Sequence, residues 1–382
     1  MSYNLLNYYG NVNDSASRNP HFRTIIKSTL PDILATGEMA SDATSQSFLT
    51  DVMKQASTHY SRAPFIKGYD TNTSLYYRDD KYTCNTNLVI KTSLRDINHY
   101  ILTHNETHDT LHLFVLHLKA SSGQANEALR LAETDSLRKV TDNLPIHASY
   151  IVCGDFNFYN DSEPAYKKLL APNANNLGHV IDPITMTGVW NRGTYAKYHT
   201  QSPRVRSFGG GITGGMDDRF DLILFSPEMN GVGAIQYIPG STHAYGNDGN
   251  HYNDSINQQP NTAVVAPVAD ALHYAADHLP VRADFVFIHA KGNIGMTEPF
   301  ATNRLHIYPN PATEEIHIQI PSDMGCGLLK IYNQMGVLVL SKPADELDKG
   351  ELILSIAHWT SGGYHVTLCG KTSVYTGSFF KY

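Results

Sequence analysis

Residues 149–157 read SYIVCGDFN. SYIVC is an apolar, β-branched run of the length of one buried strand, and it stops at Gly154. Asp155 and Asn157 follow two positions apart, so on an extended backbone both side chains face one side and address one ligand. In a layered α/β domain, strand ends of this kind bring side chains from distant parts of the chain to one pocket.

Working outward, the first 290 residues alternate strand-like runs with helical patterns, the signature of layered α/β architecture. Tyr3 to Tyr8 reads as a strand, and Asp32 to Met39 as a second, buried one ending in Glu38. Between them Phe22, Ile25, Ile26 and Leu30 recur at helical spacing after Pro20 and stop at Pro31. Thr44 to Gln55 forms another amphipathic helix, and Ser122 to Asn143 the clearest one, closed by Pro145. Ser74 to Ile90 and Leu111 to Lys119 read as hairpin-rich strands, and Phe220 to Phe225 and Val281 to Ile288 as later ones. Residues 190–215 and 240–262 are long, polar and rich in Gly and Asn, the kind of connection that carries function.

The 382 residues exceed one average core, which favours two domains. With 41% hydrophobic and 17% charged residues, disorder is excluded. No apolar stretch is long enough to span a membrane. The net charge of −7 speaks against a grip on nucleic acid through global positive charge. Residues 1–290 hold 22 basic and 28 acidic side chains, a balance of −6. Cys84, Cys153, Cys326 and Cys369 form no CxxC pair; Cys326 and Cys369 either pair or stay as two buried thiols.

Acidic, amide and imidazole groups stand one after another at predicted strand ends: Glu38, His117 in LHLK, Asp155 with Asn157, Asp221 in RFDLILF, and Asp277 with His278 in DHLPV. Each alone reads as a turn residue, a cap or a hydrogen-bonded core histidine. The set points to a polar pocket. Hard carboxylate oxygens suit Mg²⁺ or Ca²⁺, whereas zinc would call for several His or Cys. GGGITGG at 209–215 lacks the Lys and Ser/Thr of a phosphate loop and reads as a mobile loop. Arg204 and Arg206 read as solvated loop charges or as contacts to a substrate phosphate. YGNDGNHYND at 245–254 misses calcium-loop spacing and is expected to line the substrate cleft.

Asn4 in SYNLL, Glu38 in DILATGE, His117 in LHLK, GDFN at 154–157, RFDLILF at 219–225 and DHLPV at 277–281 together resemble the endonuclease/exonuclease/phosphatase superfamily, over about residues 1–288. That group includes the pancreatic-type deoxyribonucleases, abasic-site endonucleases, neutral sphingomyelinases and inositol polyphosphate 5-phosphatases. The resemblance implies a four-layer α/β sandwich, two central β-sheets flanked by helices, and phosphoester hydrolysis assisted by Mg²⁺, Mn²⁺ or Ca²⁺. It implies Glu38 as principal metal ligand, helped by Asn4 and by Asp277. Asp155 and Asn157 would position or deprotonate the attacking water and hold the phosphate. His278, oriented by Asp221, would contact the phosphate, with His117 as the second histidine. Gly37 and Ala276 stand where members commonly carry Gln and Ser, and neither change removes a catalytic group.

Residues 304–382 carry short strands without a helix, which reads as a small β-sandwich, and 289–303 reads as a linker. YPNPATEEIHIQIP at 308–321, IYNQMGVLVL at 331–340, SGGYHVTL at 361–368 and GSFFKY at 377–382 resemble the C-terminal sorting domain of the type IX secretion system of Bacteroidetes. That implies export to the cell surface or medium. Residues 1–20 show no secretory leader, from which the start at Met1 is expected to fall short of the natural one. The expectation is a secreted, metal-dependent phosphodiesterase, a nuclease before a phospholipid or sugar-phosphate esterase, with an inactive surface binding protein as the non-enzyme alternative. Its partners would be a phosphodiester substrate, DNA or RNA among them, and the type IX secretion machinery. It would act as a monomer without stable membrane insertion.

Overall fold

The computed structural model of the chain describes residues 1–9, 13–172, 178–206, 210–231, 233–288, 303–320, 328–334, 337–343, 350–369 and 374–382. The expected linker, apart from Asn303, lies outside them, as does Cys326 and with it the question of a Cys326–Cys369 pair. Chain contacts divide the molecule into two units, Met1–Ala290 and Lys291–Tyr382.

In chain order the first unit runs β1 (Ser2–Tyr8), α1 (Asn13–Thr29), β2 (Ile33–Met39), α2 (Asp42–Asp51), β3 (Tyr60–Arg62), β4 (Asn72–Arg78), β5 (Tyr82–Ile90), β6 (Ile97–His104) and β7 (Thr110–His117). It continues with α3 (Gln124–Thr141), β8 (Tyr150–Asp155), α4 (Pro164–Leu170), β9 (Asp221–Phe225), β10 (Ile235–Tyr237), β11 (His243–Ala244), α5 (Ala266–Ala275), β12 (Val281–Arg282) and β13 (Phe285–Phe287). One sheet has the strand order β11-β12-β1-β2-β4-β3, and the other β5-β6-β7-β8-β9.

Period-2 alternation sorts the side chains into three apolar layers. Ile151 and Cys153 of β8, Leu111, Leu113 and Val115 of β7, and Ile223 and Phe225 of β9 fill the space between the two sheets with Ala35 and Leu75. Tyr150 and Val152 point the other way, onto Leu137 of α3 and Leu169 of α4. Tyr3, Leu5 and Leu34 meet Phe22, Ile25 and Ile26 of α1 and Leu272 of α5. The result is a four-layer α/β sandwich, helices outside and two sheets within.

Two elements depart from the sequence expectation. Helix α1 begins at Asn13 and runs through Pro20 instead of starting after it. Tertiary contacts override the proline: buried Arg18 donates to Leu5 O, Leu6 O and Ala275 O at 2.8–2.9 Å. The expected strand 281–288 is two pieces, because β12 pairs with β1 and β11 while β13 pairs with β10.

The second unit has a three-stranded sheet and a five-stranded sheet around Ile316, Ile318, Leu329, Ile331, Val366 and Phe379, with no helix among its described residues. It is the expected small β-sandwich.

Candidate active site

The inter-sheet face of β7, β8 and β9 stops being apolar in one row. Leu111, Leu113 and Val115 lead to His117 in register with Asp155, which in turn is in register with Asp221. Asp155 is the next residue on the face that carries Ile151 and Cys153, so the alternation that builds the core also aims the carboxylate. Gly154, at φ 138°, permits the row: a Cβ there would lie 1.9 Å from Leu116 O.

The facing sheet supplies Asn4 and Glu38. Leu34 and Met39 both face the helices although five positions apart, so the alternation slips between them. Pairing with β1 and β4 is irregular there, and Leu6, Asn7 and Glu38 all have positive φ, 50°, 47° and 58°. A bulge of this kind re-aims a side chain. It turns Glu38 toward Asn4, whose amide Nδ2 donates to Glu38 Oε1 at 3.0 Å and to Asp155 Oδ2 at 3.1 Å. Asn4 Oδ1 accepts the Leu6 N–H, and Glu38 Oε2 the Asn7 N–H. Asn4 thus presents its NH₂ to both carboxylates and keeps its oxygen for the backbone.

Asp155 is the hub. Its Oδ2 lies 3.5 Å from His117 Nε2 and 3.7 Å from His278 Nε2, while Oδ1 accepts from the side chain and backbone N–H of Asn157 at 2.8 and 3.1 Å. Asn157 also sits at positive φ, 52°. Such conformations cost about 1–3 kcal/mol and persist where surroundings over-determine them. Burial, against the opposing pull of His278 and with a push from Asp221 and Glu38, raises the Asp155 carboxyl to about 7. His278 Nδ1 lies 2.7 Å from Asp221 Oδ2. Burial opposes its charge, but Asp221, then Asp155 and Asp277, outweigh that and lift the imidazole well above its ordinary value. His117 goes the other way, lowered well below its ordinary value by burial, Arg95 and His278.

Asp277 turns its Oδ2 to the Ile212 N–H, 2.7 Å away. Gly210 to Gly214 are exposed, yet two glycines of the run have no room for a side chain: at Gly211 (φ 84°) a Cβ would meet Asp277 Oδ2 at 2.8 Å, and at Gly215 (φ 93°) Asn253 C at 2.2 Å. Gly209 lies outside the described residues. Arg204 is neither a solvated charge nor exposed to a substrate; it is fully buried, donates to Gly210 O, and burial lowers its pKa against the pull of Asp277. Arg206 is exposed. The 245–254 loop spends its side chains on holding its own shape and its neighbours: Asp248 accepts from Asn250 and Thr262, Asn247 Oδ1 accepts the Gly249 N–H, and Asn247 Nδ2 donates to Ala196 O and His199 O.

Sequence reasoning missed Arg95, Thr200 and Gln201. Half-buried Arg95 donates to Leu118 O, 3.2 Å, the carbonyl that also accepts from Asn157, and is the cation that acts on His117. Nothing in LRDIN at 94–98 marks it apart from other loop charges. A cavity of about 370 Å³ lies between the sheets at the other end of these strands, lined by Ile33, Leu113, Ile151, Cys153, Ile223 and Phe285. Its charged lining residues, Asp32, Arg282 and Asp284, are joined by no histidine, and it is not the candidate site.

No curated protein matches the chain. Among solved structures, D. rerio TDP2 complexed with single strand DNA product aligns at TM-score 0.50 and 16% identity, over 75% of this chain and 97% of that one. The human Nocturnin catalytic domain aligns at 0.47 and 18%, over 74% and 91%. An endonuclease/exonuclease/phosphatase family protein from Bacteroides thetaiotaomicron aligns at 0.47 and 15%, over 78% and 96%. Residues 306–381 match the family model described as Secretion system C-terminal sorting domain, which marks the chain for export. No helix among the described residues is long and apolar enough to cross a membrane. The N-terminal unit therefore has the fold of D. rerio TDP2, and the C-terminal unit carries, over residues 306–381, a secretion system C-terminal sorting domain.

Proposed function

We propose that the N-terminal unit hydrolyses phosphoesters with a divalent cation, and phosphodiesters of DNA or RNA before others. The observation that carries this is Asp155 Oδ2, buried within 3.1 Å of Asn4 Nδ2, 3.5 Å of His117 Nε2 and 3.7 Å of His278 Nε2. Among the described residues no serine or cysteine is hydrogen-bonded to either histidine, and water is the nucleophile in this reading. Asp155, raised to about 7, is fitted to take the proton of that water. Asn157 fixes its orientation. His278, held at Nδ1 by Asp221, faces the same space and would contact a phosphoryl oxygen. The resemblance to TDP2, whose structure holds a DNA product, is one of fold and leaves the substrate to experiment.

The donor set fits Mg²⁺, Mn²⁺ or Ca²⁺. Two hard carboxylate oxygens, of Glu38 and Asp155, converge on the one NH₂ group of Asn4, and among the described residues no lysine or arginine is hydrogen-bonded to either. Glu38 would hold the ion beside Asp155, whose Oδ2 stays free to act as base, and Asn4 would orient both carboxylates. When bound, such an ion neutralises phosphate charge and polarises the phosphoryl oxygen.

A cation at this place must displace the proton of Asp155. With the folded carboxyl at about 7 against the ordinary 3.8, the cation-free protein gains stability from the bound proton at low pH and loses it as pH rises through 7. The rise in Tm on adding Mg²⁺ is therefore expected to be larger at pH 8 than at pH 5.5, with about 2.7 kcal/mol reached at a hundredfold excess over Kd. Equal gains at both pH values would place the ion elsewhere.

Substrate class is sorted by incubating the chain with plasmid DNA, RNA, sphingomyelin, a hexose phosphate and bis(p-nitrophenyl) phosphate, each with Mg²⁺ and then with a chelator. Cleavage of a nucleic acid and of the generic diester, stopped by the chelator, is expected. The balance of −6 over residues 1–290 supports the second reading, a phospholipid or sugar-phosphate esterase, because a long polyanion finds no extended basic surface. Cleavage of sphingomyelin or the hexose phosphate alone would select it. No cleavage of any substrate would leave the binding-protein alternative.

A further inference from the structure

We propose that Gln201 is the positioning residue of the His278 imidazole, holding at Nε2 the ring that Asp221 holds at Nδ1; the inference rests on reading the site as a phosphoester hydrolase. The Gln201 side-chain amide Nε2 lies 2.7 Å from His278 Nε2, nearer than Asn4 Nδ2 at 3.5 Å or Asp155 Oδ2 at 3.7 Å. An imidazole gripped at one nitrogen still turns about its Cβ–Cγ bond, whose torsion is broad. A contact at the far nitrogen fixes the ring plane.

An amide suits that place. It offers NH₂ to a bare Nε2 and, by a half turn, its carbonyl oxygen to a protonated one, so the nitrogen keeps a partner in either state. A carboxylate there would hold the proton, and an apolar group would leave Nε2 to Asp155. Gln201 is itself fixed. Its N–H donates to Asp218 O at 3.1 Å, and its carbonyl accepts from Asp217 and Asp218 at 2.9 and 3.0 Å. The same short segment bridges to His278, and Leu279 N–H donates to Thr200 O at 2.6 Å. Thr200 Oγ1 accepts the N–H of Phe220 and of Asp221, at 3.1 and 3.2 Å. Thr200 therefore holds the backbone of Asp221 while Gln201 holds the ring it pairs with, and the two are 1% and 7% exposed.

Gln201→Met keeps the length and removes both hydrogen-bonding ends; Gln201→Asn keeps the amide but withdraws it by one methylene. Turnover of bis(p-nitrophenyl) phosphate with Mg²⁺ is measured beside the two-bond ¹H–¹⁵N spectrum of the histidine rings in the full chain. Both variants are expected to lower kcat about tenfold to a hundredfold with KM within about twofold. They should also move or broaden the His278 Nε2 resonance while His199, His273 and Tm stay unchanged. A folded variant with kcat within about twofold of the unaltered chain, or with an unmoved His278 resonance, overturns the proposal. The spectrum is read without substrate, so absence of turnover in the unaltered chain counts against the phosphoester reading alone and leaves the spectrum to decide on Gln201. Should the Met variant not fold, the Asn variant carries the same two readouts.

Discussion

Replacing His278 by alanine is expected to lower kcat on a phosphodiester about 10²–10⁴-fold, the range that a positioned acid or base contributes. The imidazole, paired with Asp221, turns its second nitrogen toward Asp155, and no other described group combines those contacts. Truncation also leaves Asp221, 2% exposed, without its partner at 2.7 Å. His278→Ala should therefore lose stability as well as rate. His278→Asn separates the two effects, since its amide still donates to Asp221 but carries no ionisable proton. Comparable kcat losses in both variants, with Tm largely kept in the Asn variant, are expected. Turnover within about tenfold of the unaltered chain in either folded variant would sink the assignment.

The largest stability effect is expected at Arg130. Fully buried, it donates from Nε to Glu163 at 2.9 Å and from Nη1 to Lys119 O and Ser121 O at 2.8 and 2.9 Å. Glu163, 1% exposed, accepts the Tyr159 N–H with its other oxygen at 2.8 Å. One ion pair thus ties the segment after His117 to the segment after Asn157. Removing one partner of a buried pair strands the other charge and costs about 3–5 kcal/mol. Arg130→Ala should unfold at correspondingly lower urea, and at temperatures where it stays folded kcat should fall, because the two strand ends lose their common tie. Arg130→Lys keeps the charge but not the fork of donors and should fall between. A loss below about 1 kcal/mol for Arg130→Ala would show that the pair is not the tie.

Much of the site was legible because its residues continue the pattern that builds the core. LHLFVLH, SYIVCGD and DLILF each place an acid or imidazole on the parity of their inward apolar residues, so period 2 alone aims His117, Asp155 and Asp221 inward. That they share one row follows from sheet register, which sequence does not state. Glu38 was found by its place at a strand end, yet its direction depends on a bulge at positive φ that nothing in DILATGE announces. Arg204 was misread for a physical reason: a charge in a Gly-rich polar loop is ordinarily solvated, and here the loop closes over it beside Asp277. Pro20 was read as a boundary because propensity was weighed without the Arg18 contacts that carry the helix past it. Thr200, Gln201 and Arg95 act through neighbours distant in sequence, and their residue types signal nothing by themselves.

Glu38, Asp155 and His278 are proposed to form one cation-assisted hydrolytic centre. It is tested most directly by release of p-nitrophenolate from bis(p-nitrophenyl) phosphate in the unaltered chain and in Glu38→Gln, first with Mg²⁺, then with chelator, then with Mg²⁺ restored. Release by the unaltered chain that stops with chelator, returns with Mg²⁺ and is lost in Glu38→Gln is the predicted result. Release indifferent to the chelator, or retained at full rate in Glu38→Gln, would contradict it.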